Sequence, residues 1–197
     1  MIVLKKYNPF RNPSLKPTMD WIVYDDDPKI RQKCADLVLP LQADDIENIQ
    51  KMVSYIDASY EDKHDKYNIR AGVAIASIQI GWLKKVIYLH FDDEFRTERH
   101  WLLANPVIVE TSYSKSYIDG GEGCLSVPED KQGVVPRNES IVVEAYDLIN
   151  NKPIRIEASG YTAIVLQHEI DHLSGILYYD RINIFNPEFV DENWKKI

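Results

Sequence analysis

The 197-residue chain has only two cysteines, Cys34 and Cys124, so no disulfide framework can organise it. In a reducing compartment each thiol is either buried apolar filler or a working thiolate, and its neighbours decide which. Long apolar runs are missing too; nothing approaches the ~18 consecutive residues that a membrane-spanning helix needs. The N-terminal Met1-Ile2-Val3-Leu4-Lys5-Lys6 starts apolar and turns basic, the reverse of a secretory signal. It also lacks the Ser- and Arg-rich character of a transit peptide, so a cytoplasmic location is expected. Positive charge is scarce: 23 Lys and Arg against 31 Asp and Glu give a formal net charge of -8. The acidic residues are spread along the chain, and such a surface repels nucleic acid and anionic membranes. Neither is expected as a partner.

What is present suits one core. Hydrophobic residues make up 45% and charged residues 27%, without repeats or low-complexity segments, so one domain over residues 1–197 is expected. Residues 1–20 read as an irregular lead-in. Ile46, Ile49, Val53 and Ile56 fall at helical spacing and predict a helix over about 43–57, followed by a polar loop to Asn68. Val86–His90 and Leu102–Val109 are β-rich, the second interrupted by Asn105-Pro106. Ile141–Tyr146 and Ile154–Ala158, separated by Asn150-Asn151, predict a hairpin. Ser159 is a plausible N-cap for a helix from about Gly160 to Ser174, stopped by Gly175, and Ile176–Ile184 is expected to be a strand. Strands followed by a long helix, without regular βαβ alternation, predict an α+β fold, with mixed or antiparallel sheets around that helix.

On the long helix His168 and His172 stand four residues apart, so both imidazoles project from one face. Two imidazoles so placed can bind one tetrahedral metal ion. In the pattern His-Glu-x-x-His the intervening glutamate, here Glu169, is no ligand but takes a proton from the reacting water. Tyr161, Ile164 and Val165 lie one or two turns earlier on the same side, so this face looks inward. A catalytic metal needs a third protein ligand. The peptidase extension His-x-x-Gly-x-x-His is absent, because His172 is followed by Leu-Ser-Gly-Ile-Leu-Tyr and by no later histidine. Acidic residues, the other histidines and the two cysteines remain as candidates. Cys124 stands out, because Gly120-Gly121-Glu122-Gly123 before it allows tight turns and close backbone approach. Cys34, in Arg31-Gln32-Lys33-Cys34-Ala35, has no such setting and reads as structural.

Glu122-Gly123-Cys124-Leu125-Ser126, together with Gln167-His168-Glu169-Ile170-Asp171-His172, resembles the peptide deformylase family. The family's upstream motif, Gly-x-Gly-x-Ala-Ala-x-Gln, is matched by Gly72-Val73-Ala74-Ile75-Ala76-Ser77-Ile78-Gln79, with departures at Ala74 and Ser77. Asp27-Pro28-Lys29-Ile30-Arg31, Asn105-Pro106 and Val135-Pro136-Arg137 extend the likeness over roughly residues 20–185. The charged stretch at 57–70 is similar to an insertion of the longer bacterial subclass.

The resemblance implies hydrolysis of the N-formyl group from the formyl-methionine of newly made polypeptides, with transient ribosome contact. It implies one divalent metal held by Cys124, His168 and His172: Fe(2+) natively, with Zn(2+), Ni(2+) or Co(2+) as substitutes. It makes Glu169 the proton carrier, and the Gln79 amide and the Leu125 backbone N–H the oxyanion donors. Tyr161, Ile164 and Val165 are then candidates for the methionine slot, and Val73 and Gly123 for pairing with the peptide backbone. Glu122 and Arg137 are expected to form an ion pair that steadies the cysteine loop. A metallopeptidase of the His-Glu-x-x-His type, a structural zinc site and a weakly active deformylase-like paralogue are the rival readings.

Overall fold

A computed structural model describes residues 8–197. The expectation that Met1–Lys6 carries no secretory signal lies outside the described residues. Among them, no helix is long and apolar enough to cross a membrane.

Among the described residues, three helices, α1 (Ala43–Tyr60), α2 (His64–Tyr67) and α3 (Gly160–His172), are combined with eight strands. Strands β1 (Ala74–Ala76), β2 (Val86–Asp92), β3 (Glu98–Thr111), β6 (Ser140–Asp147) and β7 (Lys152–Ser159) form one antiparallel sheet in the order β1-β2-β3-β6-β7. A smaller sheet has the order β5-β4-β8, from β4 (Lys115–Tyr117), β5 (Arg137–Asn138) and β8 (Lys195–Lys196), with β4 and β8 parallel. The fold is α+β, with α3 packed against strands of both sheets.

Strand periodicity divides the core in two. Ile87, Leu89 and Phe91 of β2 point to the α3 side and join Leu103, Ala163, Val165 and Leu166. Val86 and Tyr88 point to the other side, against Ile49, Met52, Val53 and Ile56 of α1. β2 is thus covered on both faces, which explains why its sequence is almost continuously apolar.

Helix α1 starts where the Asp45 carboxylate accepts the Gln42 N–H at 2.9 Å, the reciprocal arm of a capping box. It runs to Tyr60, past the predicted end near 57, because Ala58 is still buried, and the short α2 forms within the expected loop. The hairpin forms as predicted, with Asp147 opposite Lys152. In β3, Asn105 has φ 51° and the register shifts after Ala104, the irregularity that Asn105-Pro106 signals. Gly175 stops the turn after α3 with φ 73°, and its place is tight: a Cβ there would lie 2.2 Å from the Arg31 carbonyl oxygen.

The expected strand at 176–184 does not form. Tyr178–Arg181 is a 3-10 turn, held by the Asp180 carboxylate, which accepts the Leu177 N–H at 2.8 Å and pairs with Arg31. Cys34 sits in the core, where burial pushes its thiol pKa up and Ser77 only partly offsets this.

Candidate metal centre

Helix α3 is anchored by Gln167 inside the motif. Its side-chain amide accepts the Asn138 N–H and donates to the Asn138 carbonyl, both at 2.9 Å, as a neighbouring strand would. This fixes α3 against β5 and turns His168 and His172 toward the loop that carries Cys124. That loop approaches through Gly120 (φ 85°) and Gly121 (φ 89°), a backbone conformation in which L side chains are strained.

The three sequence-predicted ligands meet although 44 residues separate Cys124 from His168. Cys124 Sγ lies 3.3 Å from His172 Nε2, which lies 3.2 Å from His168 Nε2. All three candidate ligand atoms fall within 4.8 Å of one another. Tetrahedral coordination at ordinary metal–nitrogen and metal–sulfur lengths separates ligand atoms by about 3.3–3.6 Å, so this donor set fits one ion. The His168 Nδ1 contacts Glu122 Oε2 at 2.8 Å, which assigns a proton to Nδ1 and leaves the Nε2 lone pair facing the sulfur. Burial disfavours the charged His168 ring, but Cys124 and Glu122 outweigh it and raise its pKa well above the ordinary value. For His172, burial and the nearby His168 act together and lower it. Its Nδ1 is buried without a protein partner.

Glu122 does more than steady the loop. Its two oxygens take Arg137 Nε and Nη2 at 2.8 Å each, while one of them also faces His168. Burial opposes its ionisation, yet the Arg137 and His168 hydrogen bonds prevail and hold the carboxyl down at about 2. Arg137 is itself buried and also pairs with Asp171, which in turn binds Arg181. Asp171 and Arg181 are functional neighbours that the sequence reading missed. Asp171 lies within the quoted motif, but nothing in its spacing marks it as a partner of Arg137.

Beside the three ligand atoms opens a cavity of about 360 Å³. Val73, Ala74, Gln79, Glu122, Gly123, Cys124, Leu125, Tyr161, Ile164, Val165, His168 and Glu169 all line it. Glu169 is 5% exposed, and its Oε2 has no protein hydrogen-bond partner. Burial is the main reason its pKa stands at about 7; His168 opposes this and Glu122 adds to it. The Gln79 amide is oriented by its neighbours: Oε1 accepts the Ala76 N–H at 2.8 Å. Its Nε2 is thereby aimed at Ser126 Oγ (3.2 Å) and Cys124 Sγ (3.5 Å). Ser126 was not singled out from sequence.

Leu125 is packed so closely on Gly72 that a Cβ there would come within 3.1 Å of the leucine methyls. Val73 is 36% exposed, and its carbonyl accepts the His90 N–H at 3.0 Å, so a peptide would have to share that oxygen. Arg70, unassigned by the sequence reading, ties the two cavity walls together, donating to the Val127 carbonyl at 2.6 Å and to Asp130 at 2.7 Å.

Residues 19–188 match the sequence pattern of the polypeptide deformylases. The chain belongs to that family. A peptide deformylase of Malacoplasma penetrans is 46% identical over 183 residues, covering 93% of this chain and 98% of that protein. Among solved structures, a probable peptide deformylase from Synechococcus phage S-SSM7 superposes with a TM-score of 0.64 at 33% identity, covering 81% of this chain and 97% of that one. The deformylase of the Vibrio parahaemolyticus bacteriophage VP16T, solved in complex with actinonin, gives a TM-score of 0.62 at 31% identity, covering 79% and 98%. Family membership makes the chain a metal-dependent amide hydrolase acting on peptides.

Proposed function

We propose that Cys124, His168 and His172 hold one divalent metal, Fe(2+) in the cell and replaceable by Zn(2+), Ni(2+) or Co(2+). The cavity beside them would then remove the formyl group from the N-terminal formyl-methionine of newly made polypeptides. The observation that carries this reading is the meeting of three ligand atoms with a buried, unpartnered Glu169 oxygen in one cavity. A dication held there supplies a Lewis acid and lowers the pKa of water toward neutrality.

The chain's own groups do the rest. Glu169 Oε2 takes the proton of the attacking water and passes it to the departing amine nitrogen, so that formate and a free methionine amine result. As the formyl oxygen becomes negative, the Gln79 Nε2–H and the Leu125 backbone N–H donate to it. The Gln79 donor is preset, since the Ala76 N–H fixes which end of the amide faces inward. Tyr161, Ile164 and Val165 form the apolar slot for the methionine side chain, and Val73 and Gly123 border the extended backbone.

The third ligand position argues against a peptidase of the His-Glu-x-x-His type. That reading requires a ligand downstream of His172, whereas the third donor is Cys124, and Asp180 is committed to Arg31 and the Leu177 N–H. The test is anaerobic purification, metal analysis and formate release from a formyl-methionyl peptide. One metal with formate released supports the proposal; metal without formate supports a weakly active paralogue, the reading that Ala74 and Ser77 invite. Gln79→Leu is expected to keep the metal and lose ~10²–10³-fold in kcat, the usual consequence of removing one oxyanion donor. An unchanged kcat would remove Gln79 from the mechanism. A cytoplasmic location and brief ribosome contact complete the proposal, and co-sedimentation with ribosomes bearing formylated nascent chains tests the latter.

A further inference from the structure

The turn that begins at Cys124 places three groups in succession. The Val127 N–H donates to the Cys124 carbonyl at 3.1 Å and closes a four-residue turn. The ligand sulfur stands at its first position, the Leu125 N–H at its second and the Ser126 hydroxyl at its third. Ser126 is fully buried and stands behind the wall of the cavity rather than in it. Its Oγ lies 3.2 Å from Gln79 Nε2.

The direction of that hydrogen bond is settled at the other end of the amide. Gln79 Oε1 accepts the Ala76 N–H at 2.8 Å, across the start of the 3-10 turn Ser77–Ile80. The group facing Ser126 is therefore the NH2, and the serine oxygen accepts. An amide NH2 has two hydrogens to give. Ser126 takes one, and the other is left toward Cys124, whose sulfur lies 3.5 Å from the same nitrogen. The last torsion of a glutamine side chain is soft and holds no angle by itself. Here it is pinned at both ends, by Ala76 at the oxygen and by Ser126 at the nitrogen, in a side chain only 1% exposed.

A third segment sets the spacing of the two residues, which are 47 positions apart. The Val23 N–H donates to the Gln79 carbonyl and the Asp25 N–H to the Ser126 carbonyl, each at 2.8 Å. Residues 23–25 thus act as a splint between the two backbones, and the side-chain contact follows from a distance that backbone bonds have already fixed.

Resting on the reading of Gln79 as an oxyanion donor, we infer that Ser126 is a positioning residue of the reaction. Its hydroxyl occupies one hydrogen of the Gln79 amide and so presents the other to the formyl oxygen. Ser126 touches neither substrate nor metal, and its effect passes through Gln79 alone. Without the hydroxyl, one buried amide hydrogen is stranded, and the sulfur of Cys124 becomes the acceptor within reach. An amide turned to the sulfur is no longer aimed where charge develops, so the loss falls on the transition state and appears in kcat.

The test is a double-mutant cycle on the metal-loaded protein with a formyl-methionyl peptide. Ser126→Ala is expected to keep its metal, to hold KM within about twofold and to lower kcat about five- to tenfold, the loss of one ordinary hydrogen bond. Added to Gln79→Leu, the same substitution should cost nothing further, because the group through which Ser126 acts is gone. A role in packing alone predicts an equal loss in both backgrounds, and that result overturns the inference. A wild-type kcat in Ser126→Ala overturns it as well. Should the alanine variant fail to fold, Ser126→Gly takes its place in the cycle under the same criteria. A wild-type kcat in Gln79→Leu is a different failure: it removes the oxyanion reading of Gln79, and the role of Ser126 with it.

Discussion

Glu169→Ala is expected to retain one metal at the Cys124 centre and to lose ~10²–10⁴-fold in kcat/KM for a formyl-methionyl peptide, the range for removal of a positioned acid–base group. The structural reason is the split between ligands and proton carrier. The Glu169 oxygen that faces the cavity makes no protein hydrogen bond, while the three ligand atoms meet without its help. Without metal, burial raises its pKa to about 7, and a bound dication would bring it down again toward the carboxylate that accepts the proton. A variant with metal and undiminished formate release would end the proposed role.

The same shift has a sign that can be read in stability. In the metal-free fold Glu169 titrates at about 7, above its ordinary 4.5, so the protonated form is the one the fold favours. Its contribution is complete below the ordinary value and is lost as pH rises through 7. From a gap of about 2.5 pK units, metal-free wild type should lose about 3 kcal/mol relative to Glu169→Gln between pH 4.5 and 8. Denaturant unfolding of the two stripped proteins across that range measures it. A bound dication favours the carboxylate, so the loaded pair should show a smaller difference. Parallel pH curves for the stripped proteins would show that burial does not govern this carboxyl.

Arg137→Met is expected to cost about 3–5 kcal/mol of folding stability, because it strips the buried Glu122 of its bidentate cation and leaves Asp171 with Arg181 alone. The loss should be largest near neutrality. Glu122 is held at about 2 in the fold, so its stabilising contribution is present above its ordinary 4.5 and disappears as pH falls toward 2. In Arg137→Met that acid limb should flatten. Metal affinity should fall as well, by ~10–100-fold, since the carboxylate orienting His168 is released. Adding Glu122→Gln should recover part of the stability and none of the affinity. A loss below about 1 kcal/mol would mean that the two anions find water or other donors.

The centre was legible because its chemistry is local in sequence. His168 and His172 share a helix face by spacing alone, and the glycines around Cys124 mark a place where backbone must come close. The family resemblance joined the two segments, and the fold brings their ligand atoms together. The hairpin and the start of α3 were legible from turn residues and apolar alternation. The stretch after Gly175 was not. Its aromatic and branched residues have strand propensity, but Asp180 bonds the Leu177 N–H and pairs with Arg31, and tertiary contact overrides propensity there. Likewise, the pairing of Asp171 with Arg137 depends on where β5 meets α3, not on any spacing within the motif.

The three candidate ligand atoms come from two parts of the chain, 44 positions apart from Cys124 to His168. They are held face to face by one carboxylate, Glu122, which shares itself between Arg137 and His168. An ion bound by all three atoms would tie the loop to α3, so that swinging the loop away from the helix would break the bond to Cys124. Opening of residues 120–126 would then remove one of the three ligands. Isotope exchange of that loop's amide hydrogens, compared between loaded and stripped protein, would measure how strongly the ion holds it closed.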